Sequence, residues 1–237
     1  MNFPQQLDLK HAKYAFYDLQ LDNRGIAEQI RKELKPVSAQ NLLMVGCVEI
    51  ARELMNKGFS VTFLATSNEM KDYIRNSLIA PNVIVGDLNN FSHSNRFDAI
   101  ICLGDTFSNI IDDKDVGSSL GNLHKMLKYG GVILLENLVA SKLFESDGTV
   151  IKKVEKDDIK IKRTSNLEPH SKNPAVALWK VAYELIQNSK RGSYEEYLKI
   201  RGFTENEFKK FLEKSNLQVI KFLESNKGNS FVTIARK

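Results

Sequence analysis

The segment 42–75 constrains the fold of this chain most strongly, because strand and helix patterns alternate there at short intervals. Apolar residues run through 42–45 and end at Gly46, which is typical of a buried parallel strand. A helix pattern that ends at Gly58 follows, and then a second strand pattern covers 59–64. Because two parallel strands must be joined by a crossover, usually a helix, this segment predicts an α/β fold.

Further strand patterns follow at similar intervals along the chain. Apolar runs at 82–87, 97–103 and 132–136 predict a third, fourth and fifth strand. A helix is predicted over 116–127, with a stop at the turn 129–131. Strands that alternate with helices predict a mostly parallel sheet with helices on both faces.

The pattern changes in the second half of the chain. Apolar and polar residues alternate at 159–163, 179–185 and 194–201, which indicates antiparallel strands with one solvent-exposed face. We therefore predict a single domain over 1–237, in which an antiparallel insertion at 146–202 lies over the sheet as a lid.

The two ends of the domain have patterns of their own. Residues 1–35 are predicted to form N-terminal helices, with a break at 23–25. Near the other end, 204–207 has the sequence of a capping box, in which a threonine and a glutamate satisfy the first N–H groups of a helix. The strand patterns at 217–223 and 230–235 predict a closing hairpin.

The composition is that of an ordinary globular protein, with 42% hydrophobic and 27% charged residues. No apolar run approaches the ~20 residues needed to span a bilayer, and no secretory signal is visible. Both cysteines lie in apolar strand patterns, so we expect reduced thiols and a cytoplasmic protein. The formal net charge is +5, but lysines and acids are interspersed, which favours a mixed-charge surface over a nucleic-acid interface.

The order and spacing of several motifs resemble class I S-adenosylmethionine (SAM) dependent methyltransferases, in particular small-molecule N- and O-methyltransferases that have a lid. The matching segments are 46–47 after the first strand, 86–87 after the third, 97–105 around the fourth, 123–131 and 203–208. The resemblance implies a Rossmann-like methyltransferase fold, with a mostly parallel seven-stranded sheet and SAM as the cofactor.

The same resemblance implies a cofactor site. Asp87 would accept a hydrogen bond from the adenine amino group, and the turn from Gly46 to Glu49 would hold the methionine end of SAM. The full set of predicted cofactor residues is Gly46, Cys47, Glu49, Thr66, Ser67, Met70, Asp87, Leu88, Leu103 and Gly104.

The cofactor motifs depart from the family pattern at two places. Residues 48–50 follow Cys47 where the family has two further glycines, and Ala65 stands where the family has an acid that binds the ribose hydroxyls. Losing those two hydrogen bonds predicts SAM binding that is weaker by about 1–3 kcal/mol. Glu49 could compensate by pairing with the methionine ammonium. Part of the ribose contact could come from Thr66, Ser67 or Asn68.

The candidate catalytic residues are Glu136, Asp105 and Tyr17. Glu136 ends the fifth strand pattern and could act as a general base or hold a substrate amine. Asp105 follows the fourth strand, and Tyr17 with Tyr14 could close over the pocket. The structural alternatives are a structural carboxylate for Glu136, an Asx turn for Asp105 and helix packing for the tyrosines. No spacing of histidine, cysteine and acidic residues predicts a metal site.

These features predict SAM-dependent methyl transfer to a nitrogen or oxygen atom of a small-molecule acceptor. A competing hypothesis is a methyltransferase-like pseudoenzyme that has lost SAM binding and serves as a binding or scaffold subunit. The expected partners are the acceptor and either a second copy of the chain or an active homologue, with no membrane. Methylation of RNA, driven by the basic surface, is the least favoured hypothesis.

Overall fold

A computed structural model describes residues 7–94, 96–145, 148–225 and 228–237. The helices are α1 (Ala12–Gln20), α2 (Asn23–Leu34), α3 (Val48–Asn56), α4 (Asn68–Ser77), α5 (Asp113–Met126) and α6 (Glu205–Lys214). The strands are β1 (Asn41–Val45), β2 (Ser60–Ala65), β3 (Asn82–Val85), β4 (Phe97–Cys102), β5 (Leu127–Val139), β6 (Val150–Lys156), β7 (Ile159–His170), β8 (Asn173–Gln187), β9 (Lys190–Phe203), β10 (Gln218–Glu224) and β11 (Ser230–Arg236).

The centre of the described structure is a sheet of seven strands in the order β3-β2-β1-β4-β5-β11-β10. The first five of these strands are parallel, and β11 adds antiparallel to both β5 and β10. This arrangement confirms the predicted α/β fold with a mostly parallel sheet. The strand order reverses between β1 and β4, so the carboxyl ends of these two strands border a crevice.

The side chains of the strands divide the hydrophobic core into two layers. Leu42 and Met44 of β1 pack on the face covered by α1 to α4, whereas Leu43 and Val45 pack on the face covered by α5 and α6. A strand that is covered on both faces needs apolar side chains at every position. This double burial explains the uninterrupted apolar runs that mark the parallel strands in the sequence.

The antiparallel insertion is larger than its sequence pattern predicts. It is a meander of four strands, β6 to β9, where three shorter strands were predicted. β6 was missed because its sequence, VIKKVEK, does not alternate between apolar and polar residues. We call β6 to β9 the lid. The lid joins the central sheet through a short parallel ladder, in which Leu138 pairs with Gly202 and Val139 with Phe203.

Two predicted boundaries are wrong, each for a local reason. The helix break lies at 21–22 rather than 23–25, because the side chain of Asp22 caps α2 by accepting from the Gly25 N–H at 3.0 Å. The turn predicted at 129–131 is part of β5, which begins at Leu127 directly after α5.

The predicted capping box at the start of α6 is half formed. The Thr204 hydroxyl accepts from the Glu207 N–H at 3.1 Å, as predicted. The Glu207 carboxylate instead accepts from the Arg201 guanidinium at 2.7 Å, because this buried cation comes close from the end of β9.

No helix among the described residues is both long and apolar enough to cross a membrane. Cys47 and Cys102 are both buried free thiols.

Gly202 allows a test of how closely the lid must join the sheet. A Cβ at this position would lie 2.5 Å from the Cα and 2.8 Å from the N of Ala140, and these backbone atoms cannot yield without separating β5 from β9. We expect Gly202→Ala to lower the free energy of unfolding by about 2–3 kcal/mol, measured by urea denaturation. In the control Gly117→Ala, the new Cβ meets no atom within 4 Å. This helix substitution should raise stability by about 0.5–1 kcal/mol. Similar effects of the two substitutions would contradict the proposed junction.

Candidate functional site

A cavity of about 570 Å³ lies at the crevice between the carboxyl ends of β1 and β4. The β1–α3 turn and the loop after β4 form its floor, α1 forms a wall and the lid forms its roof. The volume falls within the range of roughly 300–1,000 Å³ that is usual for small-molecule sites. Its position is the one at which open α/β sheets bind their ligands.

The floor consists of two loops with left-handed backbone. The φ angles are +82° at Gly46, +49° at Cys47, +71° at Gly104 and +61° at Asp105. A Cβ at Gly46 would lie 2.6 Å from the carbonyl oxygen of Leu103, so glycine lets the two loops approach each other. Non-glycine residues in this backbone region store about 1–3 kcal/mol of strain each and cluster at functional sites.

The cavity brings together six of the ten predicted cofactor residues and two of the three predicted catalytic residues. The cofactor residues on its wall are Gly46, Cys47, Thr66, Met70, Leu103 and Gly104, and the catalytic residues are Asp105 and Tyr17. The other five predicted site residues do not line this cavity: Glu49, Ser67, Asp87, Leu88 and Glu136.

Glu49 is held away from the cavity by a residue of its own helix. Its carboxylate accepts from the Arg52 guanidinium at 2.9–3.1 Å, and Arg52 also donates to the carbonyl of Ser77 at 2.5 Å. The predicted contact between Glu49 and the methionine end therefore has no geometric basis, because an i,i+3 ion pair already occupies the carboxylate.

Asp18 of α1 caps the N-terminal end of α3. The N-cap residue Cys47 makes no side-chain cap bond, and one carboxylate oxygen of Asp18 accepts from the Glu49 N–H at 3.2 Å. The other oxygen accepts from the Tyr73 hydroxyl at 2.8 Å. Asp18 is 1% exposed, and its burial raises the pKa of the carboxyl to about 7. An acidic side chain of the protein itself thus lies at this helix N-terminus.

At the end of β2, the three predicted residues divide between the cavity and the helix that follows. Thr66 and Met70 line the cavity. The Ser67 hydroxyl instead caps α4, accepting from the Met70 N–H at 3.1 Å, and it is 3.2 Å from the Tyr14 hydroxyl. Ser67 therefore has a structural role in starting α4.

Asp87, which was predicted to hold adenine, and Leu88, another predicted cofactor residue, lie outside the cavity after the end of β3. Asp87 is exposed, and its carboxylate accepts from the Asn89 N–H at 3.2 Å, so it caps the turn that follows β3. Leu88 is buried in the core layer that contains α5 and α6.

Glu136 was predicted to face the acceptor, but its carboxylate instead forms a hydrogen bond with the backbone of the cavity floor. It is 5% exposed, and one oxygen accepts from the Gly104 N–H at 2.8 Å. The other oxygen accepts from the hydroxyls of Ser230 at 2.9 Å and Ser225 at 3.2 Å. Glu136 lines a smaller cavity of about 110 Å³, which shares Cys47 and Leu103 with the larger one. These hydrogen bonds make Glu136 a residue that positions the loop after β4.

Tyr17 and Asp105 both line the cavity, close enough to interact electrostatically. Burial raises the pKa of Tyr17 far above its usual value, the nearby Asp105 raises it further, and Arg163 opposes this. The phenol therefore stays protonated at neutral pH and can donate a hydrogen bond. The Arg163 guanidinium, from β7, lies 4.8 Å from the ring centre of Phe16 and 5.7 Å from that of Trp179.

Sequence reasoning missed Asp18 and Arg163, which both line the cavity. A signal for Asp18 was present, because Tyr14, Tyr17 and Asp18 have i, i+3, i+4 spacing and share one face of α1. No local signal marks Arg163, since its neighbours along β7 alternate like those of any half-exposed strand.

Among the described residues, no group of three or more histidine, cysteine and acidic side chains could hold a metal ion.

No protein-family model and no curated protein sequence matches the chain. Solved structures do match it over almost their whole length. DesVI from Streptomyces venezuelae has a TM-score of 0.84 at 18% identity, with coverage of 97% of this chain and 98% of that one. CalS10, a SAM-bound amino pentose methyltransferase from Micromonospora echinaspora, has a TM-score of 0.78 at 16% identity, with 98% of both chains covered.

A sugar N-methyltransferase, KedS8 from a Streptoalloteichus species, matches with a TM-score of 0.73 at 18% identity. The alignment covers 89% of this chain and 87% of KedS8. The chain therefore has the Rossmann-like fold of methyltransferases such as CalS10 and KedS8.

Proposed function

We propose that the protein is a SAM-dependent methyltransferase that methylates a nitrogen or oxygen atom of a small-molecule acceptor. The observation behind the proposal is the cavity at the crevice between β1 and β4, where the predicted cofactor residues Gly46 and Leu103 share one space with Tyr17 and Asp105. The fold shared with SAM-bound CalS10 and with the sugar N-methyltransferase KedS8 supports it.

The shortened turn after β1 is compatible with the cofactor. Of residues 48–50, only Val48 lines the cavity, since Glu49 is bound to Arg52 and Ile50 faces the smaller cavity. The loops at Gly46 and Leu103 would hold the methionine end of SAM. When bound, SAM supplies an electrophilic methyl group on its sulfonium for in-line displacement.

The chain itself supplies proximity, a proton acceptor and exclusion of water. The lid and α1 enclose the acceptor above the floor, which aligns its nucleophilic atom with the methyl group and keeps bulk water out. The Asp105 carboxylate accepts the proton that the nucleophile loses. Tyr17 stays protonated, so it donates a hydrogen bond that orients the acceptor.

Ligand binding is the first test of this function. Calorimetry should detect micromolar binding of SAM and of its product S-adenosylhomocysteine. For a dissociation constant of about 10 µM, 1 mM ligand should stabilise the protein by about 2.7 kcal/mol, or roughly 5–10 °C in Tm. The pseudoenzyme alternative expects no shift.

A matched pair of tryptophan substitutions assigns that binding to the cavity. Thr66 is exposed and lines the cavity mouth, so Thr66→Trp should abolish the ligand-induced shift without changing the Tm of the free protein. Arg75 is an exposed residue of α4 outside the cavity, so Arg75→Trp should retain the full shift. Binding that survives in Thr66→Trp would place the ligand elsewhere.

Asp105 allows a test of the proton acceptor. With a panel of amino sugars as acceptors and release of S-adenosylhomocysteine as readout, Asp105→Asn should lower kcat at least about 100-fold. Its affinity for S-adenosylhomocysteine should not change. Asp112→Asn, at an exposed position outside the cavity, is the matched control and should keep the wild-type rate. A wild-type rate in Asp105→Asn would exclude the carboxylate as the base.

A further inference from the structure

Asp18 is a buried carboxylate on the cavity wall that the mechanism above does not use. It lines the same space as Gly46 and Cys47, at the end of the cavity proposed for the methionine portion of SAM. Its two hydrogen-bond partners, the Glu49 N–H and the Tyr73 hydroxyl, are both neutral. A carboxylate has about four acceptor sites, so two remain after these bonds.

The charges around Asp18 favour a cation from the cavity as its further partner. Glu49, on α3, opposes ionisation of Asp18, and Arg52 favours it. The Arg52 guanidinium is already engaged by the Glu49 carboxylate and the Ser77 carbonyl. A buried carboxylate is stabilised strongly by a charged donor, and an ammonium group is the most compact one.

The position of Asp18 also determines the orientation of an amino acid bound beside it. A helix N-terminus is a ready site for an anion, but the Glu49 N–H in the first turn of α3 already donates to Asp18. A ligand carboxylate placed there would meet a like charge. A ligand ammonium there would meet an opposite one.

We propose that Asp18 binds the α-ammonium group of the methionine portion of SAM. This inference rests on the proposed function. It makes the N-terminal helix α1 part of the cofactor site, in addition to a cover over it.

A pair of ligands separates this role from a general structural one. S-adenosylhomocysteine has the ammonium, whereas 5′-methylthioadenosine has the same nucleoside and thioether without the amino acid. By calorimetry, Asp18→Asn should weaken binding of S-adenosylhomocysteine about 10- to 100-fold and leave that of 5′-methylthioadenosine unchanged. Asp72→Asn, on the exposed face of α4, is the matched control and should bind both ligands like the wild type.

The wild-type protein provides a second readout that needs no substitution. Ammonium binding requires the ionised carboxylate, so affinity for S-adenosylhomocysteine should fall by about tenfold for each pH unit below the Asp18 pKa of about 7. Affinity for 5′-methylthioadenosine should stay level. The titratable and charged groups facing Asp18 are Tyr73 from α4 and Glu49 and Arg52 from α3. The His11 ring lies 5.7 Å from the Tyr73 ring at a tilted angle.

The outcomes separate the inference from the proposed function. Equal losses for both ligands in Asp18→Asn, no loss for either, or parallel pH profiles would overturn the role of Asp18 while leaving the methyltransferase function in place. Failure of the wild type to bind either ligand at 1 mM would overturn the proposed function, and the inference with it.

Discussion

The hydrogen bond between the Asp18 carboxylate and the first turn of α3 holds the two sides of the site together. It fixes α1 against the floor of the cavity, and the aromatic residues of the same helix then reach the lid. Phe16 packs edge-on against Tyr183 at 6.0 Å and lies beneath the Arg163 guanidinium. The helix α1, which forms the wall of the cavity, therefore contacts both α3 beside the floor and the strands of the lid.

The backbone shapes the floor of the cavity more than its side chains do. Gly46 lets the turn after β1 approach the carbonyl of Leu103, and the Glu136 carboxylate holds the next loop through the Gly104 N–H. Ser230 fixes that carboxylate from β11, a strand almost a hundred positions away in the chain. In the proposed methyl transfer, a rigid floor would align the two reactants, which is the main requirement of such a displacement.

The predictions were strongest where a local pattern has a single physical cause. A parallel strand buried on both faces must be apolar throughout, so β1, β2 and β4 were recognisable from their residues alone. The predictions were weaker for polar side chains, because each of these has several partners within reach. Glu49 pairs with Arg52 on its own helix, and Asp87 closes its own turn, instead of facing the cavity.

The sequence by itself determined the α/β class, the order of elements in the central sheet and the presence of an antiparallel insertion, because burial gives each buried element a characteristic pattern of apolar residues. It also located the two loops that became the floor, since loops that follow parallel strands meet at one edge of the sheet. Only the tertiary structure decided which polar groups meet there. Asp18 and Arg163 come from a helix before the sheet and a strand of the lid, and their approach depends on how distant segments pack, which no local period encodes.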